Sequence, residues 1–330
     1  MSESTTTFGI DLGTTYSCIS YLKDGHPTVC LNLEGERTTP SVVRMMPDDM
    51  EPVVGKTAKD TSLLYPDDTV QFVKSKIGKV ESFEIGEEGS RRTVTPVQVS
   101  AEILKKLASD ASKYTGMPVK DVVVTVPAYF GNNEKEATKQ AGIDAGLNVI
   151  KIVEEPTAAA FYYLCEQDDT DATVCVYDLG GGTFDVTAIE KNGKDIRVLT
   201  TEGDHDLGGK NWDAALIEYV DEQFREKTGL DPDEELGSDY LQELQVKCEE
   251  AKKQLTTAPE ASIAIRLDRQ HMANIVITRE EFDEITSSLL QTTIELTKKV
   301  FDVVQTEHGK KIDKLLMVGG SSKMLQVDKA

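Results

Sequence analysis

Short apolar runs rich in β-branched residues alternate along this chain with stretches whose leucines and alanines recur at helical spacing. Residues 8–33 read as strands joined by turns, with Lys23-Asp24-Gly25 as a hairpin connection. From 39 to about 100 prolines, glycines and acidic clusters break the pattern, which predicts a smaller inserted subdomain. Residues 100–114 predict a helix with Ser100 as its cap. The run VVVTVP (122–127) is continuous and apolar, as expected of a buried parallel strand. A helix over 133–145, a second buried strand over 149–153 and an alanine-rich helix over 157–164 follow. The acidic residues 166–171 predict an exposed crossing between two lobes.

The second half keeps this order, with strands within 173–189 and at 196–202. An insertion follows, with helices at 212–227 and 239–256 and strands at 261–267 and 273–277. Thr278 and Glu281 have the spacing of a capping box that opens a helix over 279–304. The run KLLMVGG (314–320) then answers VVVTVP as a buried strand. Strand and helix in alternation predict α/β layers with parallel strands.

Two motifs sharpen this pattern. FGIDLGTT (8–15) returns as VYDLGGGTFD (176–185), each a short strand ending in aspartate before a turn of glycine and threonine. Glycine accepts the positive φ angles of a phosphate nest, and an adjacent aspartate suits Mg²⁺, which is held largely through its own water shell. Two copies predict two pseudo-symmetric lobes, each a mixed sheet flanked by helices, with a nucleoside triphosphate between them. The expected boundaries are 1–167, with an insertion at about 39–109, and 168–330, with an insertion at about 208–285. After VVVTVP the first half adds helix, strand and helix. After LLMVGG only about ten residues remain, so the second lobe is expected to lack its final strand and helix.

With 330 residues, two domains are expected. A net charge of −22 argues against nucleic acid or an anionic membrane as partner, and requires local donors and a metal for any anionic ligand. MSESTTT (1–7) lacks the apolar core of a secretory signal, and no apolar run is long enough to span a bilayer. Cys18, Cys30, Cys165, Cys175 and Cys248 lack CxxC spacing and read as reduced, mostly buried residues of a cytoplasmic protein.

GIDLGTTYSC (9–18), VTVPAYF (124–130), EEPTAAA (154–160), YDLGGGTFDV (177–186), GDHDLGGKNWD (203–213) and VGGSSKM (318–324) together resemble, in order, the nucleotide-binding domain of the seventy-kilodalton heat-shock chaperones. The resemblance covers nearly the whole chain and implies the actin-like ATPase superfold. It further implies a Mg²⁺-dependent ATPase, binding ATP and ADP, whose nucleotide state controls a peptide-binding domain that this chain lacks. A J-domain co-chaperone, a nucleotide exchange factor and unfolded client peptides reached through the missing domain are the implied partners.

The expected roles follow residue by residue. Asp11 and Asp178 orient the metal through water; the plain alternative is that each closes its own Asx turn. Gly13, Thr14, Thr15 and Tyr16 form one phosphate loop, and Gly180, Gly181, Gly182 and Thr183 the other, unless the three glycines are merely a bend. By the resemblance Lys74 reaches the cleft and positions the attacking water, although a lone lysine is ordinarily a solvated surface residue. Glu155, Asp178, Thr183 and Asp185 are the remaining candidates for catalysis, with the general base left open. Gly209, Glu249, Lys252, Lys253, Thr256, Gly320, Ser321 and Lys323 would hold the adenosine end; on spacing alone 249–253 is a salt-bridged helix face. Pro127 and Lys135 match the positions that relay nucleotide state between domains.

The chain departs from the family pattern at Ser75, Lys135, Glu154, Lys253 and Lys323. Lysine in place of arginine at 253 and 323 predicts weaker adenine stacking. Two other readings stay open: a nucleotide-binding regulator that has lost turnover, and a metabolite kinase of the same superfold.

Overall fold

The computed structural model describes residues 6–46, 50–86, 91–165, 171–193, 195–230, 232–266 and 272–330. The chain divides into two compact units, 1–171 with 191–198, and 172–190 with 199–330. Most of the predicted acidic crossing lies outside the described residues.

The first unit is built on a six-stranded sheet. Its main path runs Asn148–Glu154, Asp121–Val126, Thr7–Asp11, Tyr16–Lys23, His26–Val29, and the short strand Thr39–Pro40 pairs with Tyr16–Lys23. Thr7–Asp11 is parallel to Asp121–Val126, with Asp11 opposite Thr125, and antiparallel to Tyr16–Lys23. The core gathers on the alternate positions of these strands, including Phe8, Ile10, Val122 and Val124, beneath Val99, Ile103 and Leu104 of the helix Pro96–Thr115. That helix also packs on Asn132–Asp144.

The second unit carries a four-stranded sheet in the order Asp195–Asp204, Phe184–Asn192, Ala172–Leu179, Lys314–Val318. Ala172–Leu179 and Lys314–Val318 are parallel, with Asp178 opposite Val318. Phe184, Trp212, Leu216 and Phe224 centre its core, where the helix Gly209–Thr228 meets the sheet. The helix Pro232–Leu255 packs on Gly209–Thr228 and on the hairpin Glu260–Arg266 with Met272–Thr278.

Four of the expected elements differ in extent or exposure. The helix expected from 100 begins at Pro96: Thr95 caps it and exchanges a capping box with Gln98, and Pro96 fits the first turn because its missing N–H would have had no partner there. Ser100 lies fully buried inside the helix. The helix expected over 279–304 is two, Arg279–Ile285 and Ser287–His308. Thr286 separates them, its hydroxyl drawn to Phe282 O and to Gln326. The run KLLMVGG gives the strand Lys314–Val318, an edge strand with Leu315 and Met317 exposed. Asn148–Glu154 is likewise an outer strand, with Ile150 half exposed.

Candidate functional site

In the first unit Asp11 ends its strand, and the hydroxyl of Thr125 on the parallel neighbour donates to its Oδ1 at 3.1 Å. The turn that follows is tight. A Cβ at Gly13 would fall 2.0 Å from the carbonyl oxygen of Tyr16, so only glycine fits. Gly13 N–H donates to Ser17 Oγ at 3.1 Å, and the Ser41 hydroxyl donates to Gly13 O at 2.8 Å. Thr14 is nearly buried, Thr15 O accepts the Ser41 N–H, and Tyr16 opens the next strand with its hydroxyl taking a hydrogen bond from Lys59 Nζ. Neither Gly13 nor Gly180 has a positive φ. At Gly13 the close approach of backbone, not a left-handed conformation, demands glycine.

Lys74 is the least surface-like lysine of the expected set. Phe72 adopts φ 56, uncommon for a bulky residue, and starts the short helical turn Val73–Lys76. Phe72 O accepts both the N–H and the hydroxyl of Ser75, which fixes the turn. Lys74 is thereby turned inward, 5% exposed, with Nζ 2.5 Å from Glu155 Oε1. Burial raises the Glu155 carboxyl above its usual range; Lys74 opposes that rise, and Asp11 adds to it. Asp11, Lys74 and Glu155 therefore interact within one unit. A buried ion pair is weak support for stability, since desolvation offsets most of its attraction. Its presence here points to a functional role.

Glu155 stands directly after Glu154, at the junction of strand Asn148–Glu154 and helix Glu155–Cys165. Lys135, from the helix Asn132–Asp144, places Nζ 3.0 Å from Glu154 Oε1. Pro127 is buried after Val126, the register partner of Glu154.

The second unit repeats the strand-end aspartate with different supports. Asp178 faces Val318 rather than a threonine, and the chain beyond it turns at Gly319 with φ 89. A Cβ at Gly319 would fall 2.2 Å from Leu179 O and 2.7 Å from Asp178 Oδ1, so glycine is required there. Gly180 N–H bonds Thr183 O, and the Gly180 and Gly181 carbonyls accept the N–H groups of Gly209 and Lys210. The triple-glycine turn thus abuts the first turn of Gly209–Thr228, and Gly209 sits with the expected phosphate loop as well as with the adenosine set. Asp185 is buried.

Lys252 Nζ lies 2.8 Å from Asp213 Oδ2 and donates to Gly209 O at 3.0 Å, so it joins the helix Pro232–Leu255 to the first turns of the helix Gly209–Thr228. Burial raises the Asp213 carboxyl, and Lys252 opposes the rise. Asp213 is missing from the sequence-derived set, although it closes the quoted GDHDLGGKNWD segment. Lys253 is exposed and pairs with Glu249 at 2.6 Å. Thr256 stands one turn on, its hydroxyl 3.4 Å from Lys252 O. Gly320 precedes the short turn Ser321–Lys323, where Ser321 is buried and Lys323 exposed. A surface cleft of about 530 Å³, lined by residues that include Gly78, Thr95, Asn133 and Gln140, contains none of the expected site residues.

A nucleotide with its metal fits these local structures: backbone-walled turns that exclude side chains, strand-end carboxylates and a buried lysine paired with a partly buried carboxylate. Among the described residues no cluster of three or more His, Cys, Asp or Glu could cage a metal. A hydrated ion shared with phosphate is the form of metal that this donor set suits.

Mixed sheets flanked by helices, each with an aspartate and a glycine turn at the end of a parallel strand, define an α/β protein of the actin-like ATPase fold. Residues 7–330 match the Hsp70 protein family. The chain belongs to that family and carries the ATP-binding domain of a chaperone. Among the described residues no helix is long and apolar enough to cross a membrane.

Proposed function

We propose that this chain hydrolyses ATP to ADP and phosphate in a Mg²⁺-dependent reaction, and that its nucleotide state governs a peptide-binding domain. The observation that carries the reading is the pairing of buried Lys74 with the partly buried Glu155, with the charge of Asp11 close by, in a chain of the Hsp70 family.

Phosphoryl transfer to water depends mainly on positioning and charge stabilisation. The turns at Gly13–Tyr16 and Gly180–Thr183 bind the phosphates, and Asp11 and Asp178 hold the metal through water. Bound Mg²⁺ supplies neutralisation of charge on the phosphate oxygens. Lys74 orients the attacking water and stabilises charge that develops on the terminal phosphate. Glu155, whose burial favours proton uptake, accepts a hydrogen bond or the proton of that water, with Thr183 and Asp185 as its neighbours in role. Gly209, Glu249, Lys252, Lys253, Thr256, Gly320, Ser321 and Lys323 bind adenosine. Pro127 and Lys135 relay the nucleotide state, and a J-domain co-chaperone and an exchange factor act on the cycle in the cytoplasm.

A single-turnover assay with Mg-ATP tests this. Wild type is expected to release phosphate, and Lys74→Ala to bind ATP while losing about 10²-fold or more in rate. Binding without release at any enzyme concentration would replace the ATPase by a nucleotide-binding regulator. Phosphate appearing on an added sugar or alcohol would make the chain a kinase.

A further inference from the structure

Two adjacent carboxylates at one strand–helix corner each take their own lysine. Glu155 takes Lys74 at 2.5 Å, and Glu154 takes Lys135 at 3.0 Å. The lysines come from different elements, the turn Val73–Lys76 and the helix Asn132–Asp144. The chain just past that turn also meets the helix: Gly78, at φ 77, lies against its start, where a Cβ would fall 2.6 Å from Glu134 Cα. Contacts and covalent bonds therefore close a ring. It runs from Lys74 to Glu155, along the chain to Glu154, across to Lys135, back to Glu134, over to Gly78, and down four residues to Lys74.

The corner needs this support. Among the described residues Asn148–Glu154 is the outer strand of its sheet, and Asp121–Val126 is the one strand it pairs with. No loop separates Glu154 from Glu155, so a rotation of the strand end carries Glu155 with it. An unpaired charge on Glu154 would also stand one residue from the Glu155 carboxylate, where like charges repel.

We propose that Lys135 and Glu154 are positioning residues: their ion pair completes the ring that holds Glu155 against Lys74. In this role the pair acts through the corner and not on the phosphate or the water itself. The proposal rests on the reading of Lys74 and Glu155 as the hydrolytic pair.

Both side chains are about one-third exposed, at 34% and 33%, so the effect of breaking the pair is moderate. In single-turnover hydrolysis Lys135→Met is expected to lower the rate about five-fold with ATP affinity unchanged. Lys135→Arg keeps the charge and stays within about two-fold of wild type. Lys135→Met with Glu154→Gln removes both charges and recovers most of the loss. Gly78→Ala opens the ring at another point and reproduces the loss. In the ligand-free chain, amides 158–161 of the following helix exchange about five-fold faster in Lys135→Met, again with recovery in the double variant. Unchanged rate and exchange in Lys135→Met would overturn the proposal, as would a double variant as impaired as the single. If wild type releases no phosphate, the hydrolytic reading fails by itself, and the exchange measurement still decides whether the pair holds the corner.

Discussion

Lys252 and Asp213 are both about 90% buried, so each neutralises a charge that water cannot reach. Lys252→Met leaves the Asp213 carboxylate without its cation, and a loss of about 3–5 kcal/mol is expected from urea unfolding. A loss below about 1 kcal/mol would mean that the site relaxes around the lone charge. Lys253→Arg acts on affinity instead. A flat guanidinium in place of an ammonium is expected to tighten ATP by about two- to five-fold in equilibrium dialysis, and no change would place residue 253 away from the adenine. At this scale the sequence was uneven as a guide. The repeated Asp-Leu-Gly marked Asp11 and Asp178 from spacing alone. Lys74 was legible only through the family resemblance, because its burial depends on the left-handed Phe72, which no pattern announces. The positive φ expected of the two glycine turns is not found at Gly13 or at Gly180–Gly182; at Gly13 carbonyl crowding from Tyr16 demands glycine instead. Asp213 went unmarked because an acidic residue in a helix normally reads as solvated, and only packing brings Lys252 to it.

Among the elements, capping is the most testable local device. Thr278 accepts the Glu281 N–H, and Glu281 accepts from Thr278 N–H and its hydroxyl. The backbone hydrogen bond from Thr278, and then its hydroxyl, hold the Glu281 carboxyl below its ordinary value of 4.5. A lowered acid stabilises the fold above that value and loses its contribution as pH falls through the lowered one. Thr278→Ala is therefore expected to cost about 1 kcal/mol in urea unfolding near neutral pH. The difference from wild type should shrink as pH drops below about 4. An equal difference at both pH values would contradict the role given to Glu281. This box was legible because its residues stand at fixed offsets. The Thr95–Gln98 box has the same form, yet Ser100 is also a good cap on paper, and the choice is made by the burial of residues 99–101. The break at Thr286 was hidden because apolar spacing continues across it, while the partner that draws its hydroxyl, Gln326, is forty residues away. Edge and interior strands also read alike in LLMVGG, since an apolar run does not say how many neighbours it has.

For the whole molecule, a chain of net charge −22 must meet a polyphosphate with local donors. A ligand that binds only the folded state stabilises it by about 2.7 kcal/mol at a hundredfold excess over Kd. Mg-ATP at that excess is therefore expected to raise the melting temperature of a 330-residue chain by about 3–5 °C. The same ATP with the metal chelated should give a clearly smaller shift. Equal shifts with and without metal would remove the cation from the account. The α/β character and the repeat across the two halves were legible in the sequence, because period and motif order carry them. The closed ring around Glu155 was not, since it depends on contacts among Lys74, Gly78, Glu134, Lys135 and Glu154 that only folding creates.

In the proposed function Asp11 and Asp178 serve one hydrated metal on one nucleotide. Calorimetric titration of Mg²⁺ into the ATP-loaded chain tests it most directly, with wild type, Asp11→Asn, Asp178→Asn and the double variant. Each single variant is expected to weaken Mg²⁺ binding by about ten-fold or more, and the double variant to fall well short of the product of the two losses, as for groups that share one ligand. Unchanged Mg²⁺ affinity in either single variant, or two losses that simply multiply, would contradict it.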